Sequence, residues 1–127
     1  MSRYEDWMAE AKAELAAART LFGGSHYSWC CLTAQQAAEK ALKAGLERRA
    51  SPRFGHNLND LLGALAGPSV VPQPLSDAVA RLNRHYIATR YPDAFPAGVP
   101  AEQYTSSDAA QALEDADAVV GFVERAR

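Results

Sequence analysis

Apolar residues recur in steps of three and four along most of this chain, and the breaks between those runs fall at glycine and proline. Tyr4, Met8, Ala11, Leu15, Ala18 and Phe22 form one such seam, which predicts a first helix from about Arg3 to Phe22. Trp7 and Leu21 widen the stripe, and Gly23-Gly24 end it. Ser25 suits the N-cap of a second helix that continues to about Arg49. Pro52 and Gly55 break the segment from Ala50 to His56 into a loop. Asn57, with Asp60 three residues on, signals a new start, and Leu58, Leu61, Leu62 and Leu65 make a short apolar helix closed by Gly67-Pro68. Leu75, Val79, Leu82 and Tyr86 carry the next helix, whose end Pro92 places near Arg90 or Tyr91, since the residue before a proline avoids helical geometry. Pro92 to Tyr104 reads as a long loop without periodicity, a length more often functional than connective. Thr105 and Asp108 can form a capping box, and Leu113, Ala116, Val120 and Val123 share one face of a last helix. Ser69-Val70-Val71 is too short to be a strand of quality. The expected fold is all-α, one domain over residues 1–127, an up-and-down antiparallel helical bundle of four long helices plus one short helix.

The second helix is the one around which the others should pack. On a helical wheel Ala34, Ala37, Ala38, Ala41, Ala44 and Gly45 gather on one side, with Leu42 at its edge. Side chains this small let neighbouring helices approach closely. Gln36, Glu39, Lys40, Lys43 and Glu47 gather on the other side, with Gln36, Lys40 and Lys43 in a row. Such a row is either a solvated surface or a place for something anionic. Trp29 and Leu32 project on the same far side, so Trp29, Leu32, Gln36 and Lys40 are expected to meet a partner subunit or a neighbouring loop.

Composition narrows the classes. At 127 residues, 48% hydrophobic and 22% charged, the chain suits one ordinary globular core. No apolar run approaches the roughly 20 residues that span a bilayer, and the acidic start predicts no signal peptide, so a cytoplasmic protein with no membrane role is expected. A formal charge of −2 argues against strong nonspecific nucleic-acid binding. The charge is unevenly spread, with Lys40, Lys43, Arg48, Arg49 and Arg53 clustered against Glu39 and Glu47, and with acids dominating after Glu102. Cys30 and Cys31 with nearby His26 match no zinc spacing and read as buried small residues. No metal and no cofactor is expected. Paired catalytic carboxylates, a glycine-rich phosphate loop and a nucleophile with an adjacent base are all missing from the sequence pattern, which leaves conventional hydrolase and kinase chemistry without residues.

Three segments in order, Ala34-Gln-Gln-Ala-Ala-Glu-Lys-Ala-Leu-Lys-Ala44, His56-Asn-Leu58 and Leu82-x3-Tyr86-x3-Arg90-Tyr-Pro-Asp93, resemble the HEPN domain family over nearly the whole chain. The resemblance implies a helical bundle that commonly dimerises and is frequently paired with a minimal nucleotidyltransferase. It also implies nucleotide binding, proposed for the family, or RNA cleavage by toxin and defence members. The nuclease members carry an arginine followed after four to six residues by a histidine on a late helix. Here Arg90 has no histidine after it, Arg81 precedes His85 by three intervening residues, and Arg84 adjoins His85. Arg49 and His56 have six residues between them, but in a loop.

Arg53, His56, Arg90 and Lys43 are therefore the expected phosphate-binding cations, with Asp93 orienting the arginine. Alternation of helix direction would place the ends of helices two and four at one pole, where these residues could converge. The competing structural roles are an Arg90–Asp93 ion pair, a capping role for His56 and a Glu39–Lys43 pair at helical spacing. Three readings stay open: an accessory protein that pairs with a nucleotidyltransferase and binds nucleotide or RNA; a metal-independent ribonuclease toxin using His56 or His85; and a ligand-free dimeric scaffold.

Overall fold

The structure, a computed structural model, describes residues 2–67 and 70–126. Helices α1 (Tyr4–Gly23), α2 (Tyr27–Arg48), α3 (Leu58–Ala66), α4 (Gln73–Asn83), α5 (His85–Ala88), α6 (Pro100–Gln103) and α7 (Ser106–Arg125) make an all-α bundle, with a 3-10 turn over Pro92–Ala94. Pro68 and Ser69, which were expected to close the short helix and lead to the linker, lie outside the described residues. The periodic seam of α1 is buried at Tyr4, Met8, Ala11, Leu15 and Ala18. Asn57 caps α3 by accepting from the amides of Asn59 and Asp60, and Thr105 with Asp108 forms the expected reciprocal box at the start of α7.

Three local expectations give way. Ser25 is not the N-cap of α2; it takes a left-handed φ of 64°, and His26 stands at the cap. The G-G-S turn is tight because the amides of Ser25 and His26 both donate back into the end of α1, to Phe22 and Leu21. The fourth helix is interrupted at Arg84, so that α4 and α5 form one broken segment. The long loop also contains structure of its own, since proline at a first helical position is tolerated at both Pro92 and Pro100.

α2 is central, with Ala34, Ala37, Ala38, Ala41 and Ala44 fully buried. Gly45 marks the tightest approach. A Cβ built there would lie 2.9 Å from Leu65 Cδ1 and 3.2 Å from Val123 Cγ1, so α3 and α7 converge on this one bare position.

Helix direction decides where the site lies. Lys12–Glu124 and Arg19–Asp117 pairs set α1 antiparallel to α7. The Leu65 contact at Gly45 and a bond from Arg49 Nη1 to Leu65 O set the end of α3 beside the end of α2. The start of α3 lies beside the middle of α2, because Gln35 Nε2 donates to His56 O. α3 thus runs parallel to α2, and α4 returns antiparallel, its Asn83 Oδ1 accepting from Leu58 N at 2.7 Å. The ends of helices two and four therefore do not share a pole. The loop after α2 climbs back along it first.

Candidate phosphate site beside the central helix

The climb begins where Ser51 N–H donates to Leu46 O, and it uses Gly55 at φ 102°, a conformation that an L side chain resists. It ends with His56 against the middle of α2. There His56 Nδ1 lies 2.9 Å from Glu39 Oε1, while Glu39 Oε2 holds Lys43 Nζ at 3.1 Å. Glu39 is buried, and its position on the solvated face is overturned. The His56 ring stacks on Tyr86 with centroids 4.6 Å apart and planes 17° apart. Arg90 lies over the same Tyr86 ring at 4.6 Å and near Tyr91 at 5.4 Å, its Nε donating to Tyr86 O at 2.9 Å. One continuous chain of contacts runs Lys43, Glu39, His56, Tyr86, Arg90.

The expected phosphate residues are thus partly gathered. His56, Arg90 and Lys43 are linked through Glu39 and Tyr86, both missing from the expected set. Arg53 shares a cavity of about 170 Å³ with His56 but spends Nη1 on Ser51 Oγ and Pro52 O. Asp93 is exposed in the 3-10 turn and makes no ion pair with Arg90 among the described residues, so it does not orient that guanidinium. The capping role falls to Asn57 instead of His56, whereas the Glu39–Lys43 pair is present.

The expected contact surface on α2 shrinks. Trp29 is 51% exposed and Gln36 half-buried, but Leu32 is buried, and Lys40 is held by both carboxylate oxygens of Glu14 at 3.0 and 3.2 Å. The signal that separates them is in the sequence. Leu32, Gln35, Glu39, Leu42 and Leu46 follow each other in steps of three and four, so a glutamine and a glutamate stand in a core line. That line points to Gln35 and Glu39 as buried polar groups and keeps Leu32 away from Trp29.

A second polar cluster lies between α4–α5 and α7. Arg81 Nε and Nη2 each donate to Asp115 at 2.9 Å, and Gln111 Nε2 donates to the same carboxylate. His85 Nδ1 lies 3.3 Å from Tyr104 Oη, with the rings edge-on. Burial, aided by the Arg84 charge, holds His85 below its ordinary range, and burial pushes the Tyr104 phenol up to about 12. Because His85 binds protons less readily folded than unfolded, its share of stability is present above about pH 6.5 and is lost as pH falls. Chemical unfolding at about pH 7.5 and about pH 5 should show that loss reduced in His85→Gln; an unchanged slope contradicts it.

Cys30 and Cys31 are buried, and burial raises their thiols to about 11 and about 12, so neither supplies a thiolate nucleophile near neutrality. Among the described residues no group of three or more histidine, cysteine or acidic side chains could hold a metal, and no helix is long and apolar enough to cross a membrane.

The same architecture recurs in known proteins. The HEPN domain family model matches residues 4–126. The crystal structure of TT1696 from Thermus thermophilus is similar at a TM-score of 0.94 and 43% identity, with 98% of each chain covered. ST0689, described as an archaeal HEPN homologue, is similar at 0.83 and 32% identity, covering 98% of this chain and 97% of its own. A HEPN domain protein of Thermotoga maritima, tm0613, is similar at 0.76 and 31% identity, with 94% of each chain covered. No curated protein matches.

Proposed function

The chain belongs to the HEPN domain family, and from that premise we propose that it pairs with a minimal nucleotidyltransferase and binds the phosphate of a nucleotide or RNA beside His56 and Arg90. The observation that carries the site is the shared Tyr86 ring, against which both the imidazole and the guanidinium pack. Glu39 occupies Nδ1 of His56, and the side chain is 52% exposed, with no hydrogen-bond partner on Nε2 among the described residues. Arg90 has spent only Nε on the backbone, and its two terminal nitrogens remain for the fork-like contact that guanidinium makes with phosphate. Lys43 is neutralised by Glu39 and contributes little field of its own. Trp29, with Gln36 two turns further along α2, offers the contact surface for a nucleotidyltransferase or a second copy of the chain.

Calorimetric titration with nucleotides and short single-stranded RNA at fixed salt tests the site. His56→Ala and Arg90→Ala should each weaken binding about tenfold or more, since each removes a charge-assisted hydrogen bond. Unchanged affinity in both variants retires the site, and absence of any binding favours the ligand-free scaffold. Native purification followed by mass spectrometry tests the partner.

A ribonuclease reading also has one supporting observation. A carboxylate on Nδ1 of a half-exposed imidazole is how a general base is oriented, and Arg90 packs on the same Tyr86 ring as that imidazole. RNA cleavage that disappears with His56→Ala would establish it. His85 is a poorer base for that chemistry because burial lowers its affinity for a proton, and its neighbour Arg81 is committed to Asp115 and not free to hold a phosphate.

A further inference from the structure

The cluster around His85 lines a cavity of about 330 Å³ that the phosphate site does not use. Its charges come in two signs. Arg81 and Asp115 cancel each other across the seam between α4 and α7. Arg84 and Asp108 both line the cavity, and among the described residues neither has an ion-pair partner. Asp108 gives one carboxylate oxygen to Thr105 N at 2.9 Å and keeps the other. His85, Tyr104 and Gln111 line the same cavity, polar groups that carry no charge near neutrality. Both charges reach the same ring, since Arg84 lowers the affinity of His85 for a proton while Asp108 raises it.

A cavity whose charges sum to zero gives a phosphate dianion no net attraction, and the Asp108 carboxylate repels it. It suits a ligand that itself carries one charge of each sign. The volume lies at the small end of the roughly 300–1,000 Å³ range of ligand pockets, room for a molecule of amino-acid size. We propose that this cavity binds a free amino carboxylate, the carboxylate on Arg84 and the ammonium on Asp108, with Tyr104 and Gln111 completing its hydrogen bonds. The site is separate from His56, so a nucleotide site and a small zwitterion site would share one bundle.

Calorimetric titration of the whole protein with glycine, L-glutamine and γ-aminobutyrate tests this, the three differing in the spacing of their charges. Acetate, ethylamine and inorganic phosphate serve as controls. At least one amino carboxylate should saturate with a Kd of about 0.1–1 mM, and every control should bind at least about tenfold more weakly. Arg84→Ala and Asp108→Asn should each weaken binding about tenfold or more. Asn at position 108 keeps an oxygen for Thr105 N–H, and Arg84 is exposed, so both variants should melt with the parent's cooperativity. Should Asp108→Asn fail to fold, Arg84→Ala alone decides. Absence of saturation by about 10 mM, equal binding of acetate or phosphate, undiminished binding in the folded variants, or NMR shift changes centred on His56 instead of Tyr104 would each overturn the proposal.

Discussion

Replacing Arg81 with alanine is expected to lower the unfolding free energy by about 2–4 kcal/mol, read as a drop in the urea midpoint with the slope unchanged. Asp115 is buried, its side chain 4% exposed, and it accepts two hydrogen bonds from Arg81 and one from Gln111. Without the guanidinium the carboxylate keeps a single amide donor and no counter-charge in the wall between α4 and α7. The cost is moderated because the adjoining cavity admits water. The reverse deletion should be milder. Arg81 is 40% exposed, so Asp115→Ala leaves a cation that can turn to solvent. Arg81→Met combined with Asp115→Leu should recover most of the loss, as buried pairs replaced by apolar residues of similar volume commonly do. A deficit under about 0.5 kcal/mol for Arg81→Ala would mean that the pair holds nothing together.

The second large effect is expected at Gly45. Leucine there should destabilise the protein by about 2 kcal/mol or more, even though it replaces the poorer helix former. Its Cβ alone would sit 2.9 and 3.0 Å from the two methyls of Leu65 and 3.2 Å from Val123, and the rest of the side chain has to displace α3 or α7. Alanine is the informative companion. It meets only the ends of flexible side chains, and its gain in helix propensity of about 1 kcal/mol offsets the crowding, so its midpoint should stay close to the parent's. Because α3 is anchored at one end by Leu65 and at the other by the loop that carries His56, Gly45→Leu should also disturb the contacts of His56 with Glu39 and Tyr86. Thermal melts of the two variants separate overpacking from any direct role of the glycine backbone; parity between leucine and alanine would contradict the packing account.

These two positions show where reading the sequence runs short. Gly45 belongs to the small-residue face of α2, and its membership there is plain from periodicity. That it meets two helices at once is not, because close approach depends on how α3 and α7 are aimed. Arg81 and His85 draw notice as an imperfect nuclease spacing, yet Arg81 is a structural clamp whose carboxylate lies on α7, 34 residues away. Glu39 is the sharpest case. Counted by type it joins the charged face with Lys40 and Lys43; counted by position it stands in line with Leu32, Gln35, Leu42 and Leu46, and the structure buries it. Residue type and helical phase disagreed, and phase won because Lys43 and His56 supply the partners that make burial of a carboxylate tolerable.

The sequence by itself determined the helices α1, α2, α3 and α7, the caps at Asn57 and Thr105, the seam of α1, the alanine face of α2 and the family. Each depends on local periodicity, local hydrogen bonding, or residues in a fixed order, and these are properties that the chain carries wherever it folds. Tertiary structure alone decided helix direction, and with it the site. α3 runs parallel to α2 because the intervening loop climbs back, so His56 meets Glu39 and Tyr86 beside the middle of the central helix. Arg53 stays in that loop, and Asp93 stays apart from the arginine expected to be its partner. Which charges face each other across a cavity is set by the path of a loop and the aim of a helix. Periodicity carries no record of either.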